Sequence, residues 1–170
     1  MIILIGYMGS GKSTLGKVLA SELQKEFFDL DALIEEREQH SIRDIFEKKG
    51  EIYFRKLERK VLEELLNKNS DIILSLGGGT PCFGDNTEII KKASQNVFYL
   101  KLSVQELTKR LLKEKEDRPL ISHLKSEEAL EDFVRKHLFE RNFYYLQAHH
   151  VLNADAKLPE ELAQEITALL

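Results

Sequence analysis

The 170-residue sequence is short of several things. It has one cysteine, Cys82, which excludes an intrachain disulfide and leaves nothing that argues for secretion. It has three prolines and no Pro/Gly/Ser-rich linker, internal repeat or low-complexity tract, so it reads as one continuous domain of ordinary size. No uncharged apolar run approaches the ~20 residues needed to span a bilayer. Met1-Ile2-Ile3-Leu4-Ile5 opens the chain without a basic leader or a signal-cleavage pattern, and a cytoplasmic protein is expected. There is no excess of basic charge: 25 Lys and Arg against 29 Asp and Glu give a net charge of -4. That argues against general nucleic-acid binding. At 42% hydrophobic and 32% charged, the composition is globular rather than disordered. The nine glycines fall mostly in two places. Gly6, Gly9, Gly11 and Gly16 form one group, Gly77, Gly78, Gly79 and Gly84 another, and Gly50 stands alone.

What is present is an alternation of apolar β-branched runs with amphipathic stretches. Ile2 to Ile5, Phe27-Phe28, Ile72 to Leu76, Val97 to Leu102 and His150 to Asn153 read as strands. Ser13 to Lys25, Asp31 to Gln39, Ile42 to Lys49, Glu51 to Lys68, Val104 to Leu112, Glu127 to Tyr145 and Pro159 to Leu169 read as helices. Lys113 to Asp117 reads as a charged, mobile loop. The pattern predicts an α/β fold with a mostly parallel sheet covered on both faces. Such sheets bind ligands at the carboxyl ends of their strands, where both glycine groups fall.

Gly6-Tyr7-Met8-Gly9-Ser10-Gly11-Lys12-Ser13 matches the phosphate-binding pattern G-x-x-x-x-G-K-[ST], with a strand before it and a helix after it. Gly9 and Gly11 permit backbone conformations that turn successive N–H groups inward. The helix N-terminus adds its positive end. Lys12 would reach the β- and γ-phosphates, and Ser13 would place its hydroxyl on Mg²⁺. A GTPase switch is disfavoured. Asn67-Lys68-Asn69-Ser70-Asp71 sets its aspartate one residue late for a base reader, and no aspartate lies three residues before a glycine.

Asp29 and Asp31 close the second strand. If that segment is extended, both point to one face. One carboxylate would hold Mg²⁺ through water and the other would orient or deprotonate an attacking hydroxyl. The alternative is that Asp31 caps the next helix.

With these motifs the sequence resembles the shikimate kinases. The resemblance is carried by Gly6 to Gly16, Asp29 to Glu35, Ser41 to Phe46, Phe54 to Glu58, Leu74 to Gly79, Asp117 to Leu120, and Arg141 with Tyr145. It implies a three-layer P-loop kinase fold with a five-stranded parallel sheet, a helical substrate-binding subdomain at about 31–60 and a mobile lid at about 112–124. It implies ATP and shikimate as substrates and Mg²⁺ as cofactor. Asp31 matches the candidate base, Asp29 the metal-side aspartate, and Arg55 and Arg141 the pair that holds the substrate carboxylate. Gly77, Gly78 and Gly79 match the turn lining the ring. Arg118 matches the lid arginine, and Arg110 one placed over adenine. Gly9, Ser10, Gly11, Lys12, Ser13 and Thr14 form the nucleotide cradle.

Arginine suits the carboxylate task because a planar guanidinium binds through two parallel bonds. Glu58, three residues beyond Arg55 on a helix, is placed to hold it. Pro81 stands where the family more often has an aliphatic residue. Cys82 reads as an incidental thiol. The histidines lack metal-ligand spacing, and His149 and His150 would point to opposite faces of a strand. Tyr7, Phe46 and Phe54 read as core, with pocket lining the alternative for the two phenylalanines. A monomer is expected, without nucleic-acid or membrane partners. The competing readings are another small-molecule P-loop kinase, acting on gluconate or a nucleotide, and a non-catalytic ATP-binding module.

Overall fold

The computed structural model describes residues 1–68, 71–114 and 119–170. Arg118, residues 115–117 of the charged loop and Asn69-Ser70 lie outside the described residues. Among the described residues five strands, β1 (Ile2–Ile5), β2 (Glu26–Asp29), β3 (Ile72–Ser75), β4 (Val97–Lys101) and β5 (His150–Asn153), form one sheet in the order β2-β3-β1-β4-β5. Every pairing is parallel, with Ile2 opposite Ile73, Ile3 opposite Val97, Phe27 opposite Ile73 and Tyr99 opposite Val151. β1 and β3 are buried along their whole length, which explains their unbroken apolar sequence. Ile3, Leu4, Ile73, Leu74 and Phe98 are fully enclosed. Each such side chain contributes roughly 1.5–3 kcal/mol by leaving water.

The helices are α1 (Lys12–Leu23), α2 (Leu30–Glu38), α3 (Ile42–Lys68), α4 (Asn86–Ala93), α5 (Val104–Lys113), α6 (Pro119–Ser122), α7 (Glu127–Tyr145) and α8 (Pro159–Thr167). The predicted break between two helices near Gly50 appears as a kink inside α3, where Gly50 has φ 79° and ψ 169°. Ser126 caps α7 through a 3.1 Å bond from the Ala129 amide, and Ser103 caps α5 through the Glu106 amide at 3.2 Å.

Some expectations are corrected. α4 was not anticipated: its eight residues are too short for periodicity to stand out, yet it buries Ile90. α5 includes Lys113, which was expected in the charged loop. Within the expected lid at about 112–124, Ile121 of α6 is fully buried and Leu124 packs on the core. His149 precedes β5 rather than lying in it. Asp31 is not on a strand: β2 ends at Asp29, and Asp31 sits in the first turn of α2.

β1 and β3 are neighbours although the chain passes through α1, β2, α2 and α3 between them. Their carboxyl ends therefore open side by side, and the two glycine groups meet there. A Cβ on Gly78 would lie 3.3 Å from the Met8 amide nitrogen and 3.5 Å from the Gly6 carbonyl oxygen.

Candidate active site

After β1 the chain turns through Gly9 (φ 76°) and Gly11 (φ 92°) into α1, conformations that favour glycine. Lys12 is buried, and its Nζ donates to the carbonyls of Gly6 (3.0 Å) and Tyr7 (2.9 Å) and to Ser10 Oγ (3.4 Å). The ammonium is thus held at the mouth of the turn. Arg110 reaches back from α5. Its Nε donates to Glu106 at 2.7 Å and its NH1 to the Ser10 carbonyl at 3.5 Å, so the guanidinium lies against the loop near Gly11. Gly16, grouped with these glycines by sequence, serves packing instead. A Cβ there would lie 2.2 Å from the Phe27 ring.

Asp29 does two things at once. Its Oδ1 accepts from the amides of Asp31 (3.1 Å) and Ala32 (3.4 Å), capping α2. Its Oδ2 accepts from Ser13 Oγ at 2.6 Å. The cap falls to Asp29 and not to Asp31, whose carboxylate is left to face the site. Asp31 packs against the glycine turn so closely that a Cβ on Gly77 would lie 2.5 Å from its Oδ1. Burial, then the nearby carboxylates of Asp29 and Glu58, push the Asp31 carboxyl up to about 7, with Lys12 opposing them.

The rest of the turn receives the two arginines. Arg55 NH1 donates to Glu58 at 2.8 Å, and its guanidinium lies where a Cβ on Gly79 would come within 2.8 Å of NH2. Its Nε, 3.6 Å from Glu51, is buried without a hydrogen-bond partner. The rings of Phe54 and Phe83 stand 5.3 and 5.6 Å from the same guanidinium. Phe54 is buried and stacks with Phe46 at 4.6 Å, and Tyr7 is also buried. Arg141 approaches Gly78, with NH1 3.5 Å from its added Cβ. Tyr145, wholly buried, donates to the Gly78 carbonyl at 2.5 Å and ties the turn to α7. Each glycine of the triplet therefore lies against one charged side chain: Gly77 against Asp31, Gly78 against Arg141, Gly79 against Arg55.

A cleft of about 350 Å³ joins these parts and is lined by Gly9, Gly11, Lys12, Ser13, Thr14, Asp29, Asp31, Gly77, Gly78 and Arg110. Arg55, Gly79 and Arg141 do not line it; the two arginines lie against the turn at Gly79 and Gly78. Arg118 lies outside the described residues. Sequence reasoning missed Thr80. Its buried hydroxyl donates to Glu58 Oε1 at 2.7 Å, so Glu58 ties Arg55 to the turn. The position directly after three glycines was its only signal. Pro81 and Cys82 sit in a short 3-10 turn beyond it. Burial pushes the Cys82 thiol up to about 11, which keeps it protonated and unreactive at neutral pH.

Ser13 Oγ and the Asp29 carboxylate are hard oxygen donors in contact, which fits Mg²⁺. Among the described residues no cluster of three His, Cys, Asp or Glu side chains forms a protein cage. A hydroxyl and one carboxylate suit an ion that keeps waters and nucleotide oxygens as its other ligands.

The family model for shikimate kinase matches residues 8–170. The chain is 44% identical over 169 residues to the shikimate kinase of Flavobacterium psychrophilum, covering 99% of this chain and 98% of the relative. It is 43% identical over 166 residues to that of a Sulfurihydrogenibium species, covering 97% and 94%. Among solved structures it resembles shikimate kinase from Bacteroides thetaiotaomicron, with TM-score 0.91, 37% identity, and coverage of 99% and 96%. It also resembles the Acinetobacter baumannii shikimate kinase in complex with shikimate, with TM-score 0.87, 37% identity, and coverage of 99% and 90%.

Proposed function

The chain belongs to the shikimate kinase family, and on that premise we propose that it transfers the γ-phosphoryl group of ATP to the 3-hydroxyl of shikimate, with Mg²⁺ as cofactor. The observation that carries this reading is the glycine triplet with one charged group against each member. It sets the Asp31 carboxyl, raised to about 7, and two guanidinium groups along one turn beside a phosphate cradle.

Arg55 and Arg141 bind the shikimate carboxylate, each through a planar guanidinium held against the glycine turn. Each charge-assisted bond is worth roughly 1.5–3 kcal/mol. Gly77 and Gly78 let the ring lie against backbone. Asp31 accepts or orients the proton of the 3-hydroxyl, and a pKa of about 7 matches it to proton transfer at neutral pH. The hydroxyl oxygen forms the new bond to phosphorus, the bond from the γ-phosphorus to the β–γ bridging oxygen breaks, and ADP leaves with that oxygen. Lys12 and the inward amides of the loop from Gly9 to Thr14 stabilise the charge on the moving group, with Arg110 against the loop on the nucleotide side. Ser13 and Asp29 would hold Mg²⁺, which would supply charge neutralisation on the phosphates. Arg118 is placed by resemblance alone in the lid at about 112–124, over the same phosphates. The acceptor subdomain at about 31–60 corresponds to α2 and the part of α3 carrying Phe46, Phe54 and Arg55. The chain acts as a monomer in the cytoplasm, without nucleic-acid or membrane partners. Among the described residues no helix is long and apolar enough to cross a membrane.

Measuring ADP release with shikimate, gluconate and nucleoside monophosphates tests the assignment. Turnover with shikimate, abolished by chelating Mg²⁺, is expected. Turnover with one of the others alone would replace the acceptor, and no turnover with any would favour a binding module.

A further inference from the structure

One polar side chain outside the proposed machinery touches both halves of the site. His137 lies on α7, four residues before Arg141 and therefore on the same face. Its Nε2 is 3.5 Å from Arg141 NH2, and its Nδ1 is 3.1 Å from the Tyr7 hydroxyl. The ring rests against Phe133 at 4.8 Å and meets the Tyr7 ring edge-on at 6.0 Å. The Arg141 guanidinium stands 5.8 Å from the centroid of that Tyr7 ring. Tyr7 in turn belongs to the phosphate loop, and its carbonyl receives Lys12.

The donor inventory selects a tautomer. A guanidinium carries only donors, so Nε2 must accept if the Arg141 contact is a hydrogen bond. The ring proton then sits on Nδ1 and is donated to the Tyr7 oxygen. In the other neutral tautomer, and in the imidazolium, an N–H of the ring faces an N–H of Arg141. At 3.5 Å the bond is long, so the ring orients the guanidinium more than it anchors it.

We infer that His137, neutral and protonated on Nδ1, is a positioning residue for Arg141. Held from the phosphate loop by Tyr7, it keeps the guanidinium against Gly78 in the geometry that receives the acceptor carboxylate. The inference rests on the role of Arg141 proposed above.

Protonation of His137 would remove the acceptor and set a second cation beside Arg141, so acceptor affinity should fall in acid. The charges bearing on the ring are those of Arg141, which opposes protonation, and Glu140, which favours it. From the phosphate loop it faces the Tyr7 hydroxyl, which burial keeps protonated. Arg141 also faces the protonated thiol of Cys82 from the turn after β3. Burial and Arg141 together hold His137 below its ordinary range, so the ring is neutral at pH 7.

The test is KM for shikimate and kcat, at saturating ATP and from about pH 5.5 to about pH 8, for the parent, His137→Gln and His137→Phe. Glutamine offers an oxygen near the Nε2 position and does not titrate; phenylalanine keeps the ring and offers no acceptor. His137→Phe is expected to raise KM about 3- to 10-fold at neutral pH, with kcat within about twofold. His137→Gln is expected to keep the neutral KM and to lose the rise in KM that the parent shows in acid. A nitrogen-15 spectrum of the unliganded chain should show the Nδ1-protonated tautomer, a readout independent of turnover. The inference is overturned by an unchanged KM in His137→Phe, by a parent KM that falls in acid, by the same acid rise in His137→Gln, or by the Nε2-protonated tautomer. Arg141→Ala separates the two readings. If it leaves KM unchanged, the acceptor assignment fails whatever His137 does.

Discussion

The glycines divide by what their missing Cβ would meet, and this gives opposed expectations within one residue type. On Gly79 it would displace the Arg55 guanidinium. Gly79→Ala should raise KM for shikimate by about tenfold or more, one or more charge-assisted bonds being weakened. On Gly16 it would strike the Phe27 ring at 2.2 Å, and neither residue lines the cleft. Gly16→Ala should cost about 1–3 kcal/mol of stability by urea denaturation and leave KM near the parent value. Loss of stability in Gly79→Ala with unchanged KM would refute the first assignment. Asp31 offers a second contrast. Its carboxyl is raised from 3.8 to about 7, chiefly by burial, so the folded chain holds that proton more tightly than the unfolded one. The folded state binds more protons across that window, and stability therefore falls as pH rises through it. Asp31→Asn should lower kcat by roughly 10²–10⁴. In the unliganded chain without Mg²⁺ it should also raise stability, by on the order of 4 kcal/mol near pH 8 and by almost nothing near pH 3. Equal effects at the two pH values, read from thermal melts, would show that the carboxyl is not raised.

At the scale of elements, α3 carries the clearest device. Its two halves are joined at Gly50, whose φ of 79° and ψ of 169° fall in a region that glycine alone occupies comfortably. Nothing lies within 4 Å of an added Cβ, so the demand is conformational and not steric. The kink brings Phe46 of the first half onto Phe54 of the second, next to Arg55. Gly50→Ala should destabilise the chain by about 1–3 kcal/mol and raise KM for shikimate, with little change in KM for ATP. A change in KM for ATP alone, in steady-state kinetics, would place the effect elsewhere. The junction of β2 with α2 works in a related way. One carboxylate, Asp29, both stops the strand and caps the helix, and so turns Asp31 toward the cleft. Strand alternation suggested that the two aspartates share a face; the cap brings both into the cleft by a different route.

For the molecule as a whole, a net charge of -4 is no guide to the sign of its ligands. The proposed substrates are anions met by Lys12, Arg55, Arg110 and Arg141, gathered at one end of the sheet. Raising ionic strength from ~0.05 to ~0.5 M should therefore raise KM for shikimate severalfold while the melting temperature moves little, since the site charges act at a partly exposed cleft and the core does not. A KM independent of salt would argue against a pocket of positive charge. The sequence by itself determined the alternation of buried strands and helices, the phosphate loop, and which residue types could serve the chemistry. Those properties are local: a run of β-branched residues, a glycine spacing and a lysine carry their meaning within a dozen residues. Only the tertiary structure decided that Gly16 packs while Gly9 and Gly11 turn, because Phe27 of β2 folds back onto α1. It also decided that α4 exists, since eight residues hold too little periodic signal. Thr80 and His137 were invisible for a third reason. Each acts through a partner distant in sequence, Glu58 on α3 for one and Tyr7 in the phosphate loop for the other, and the fold brings those partners within bonding distance.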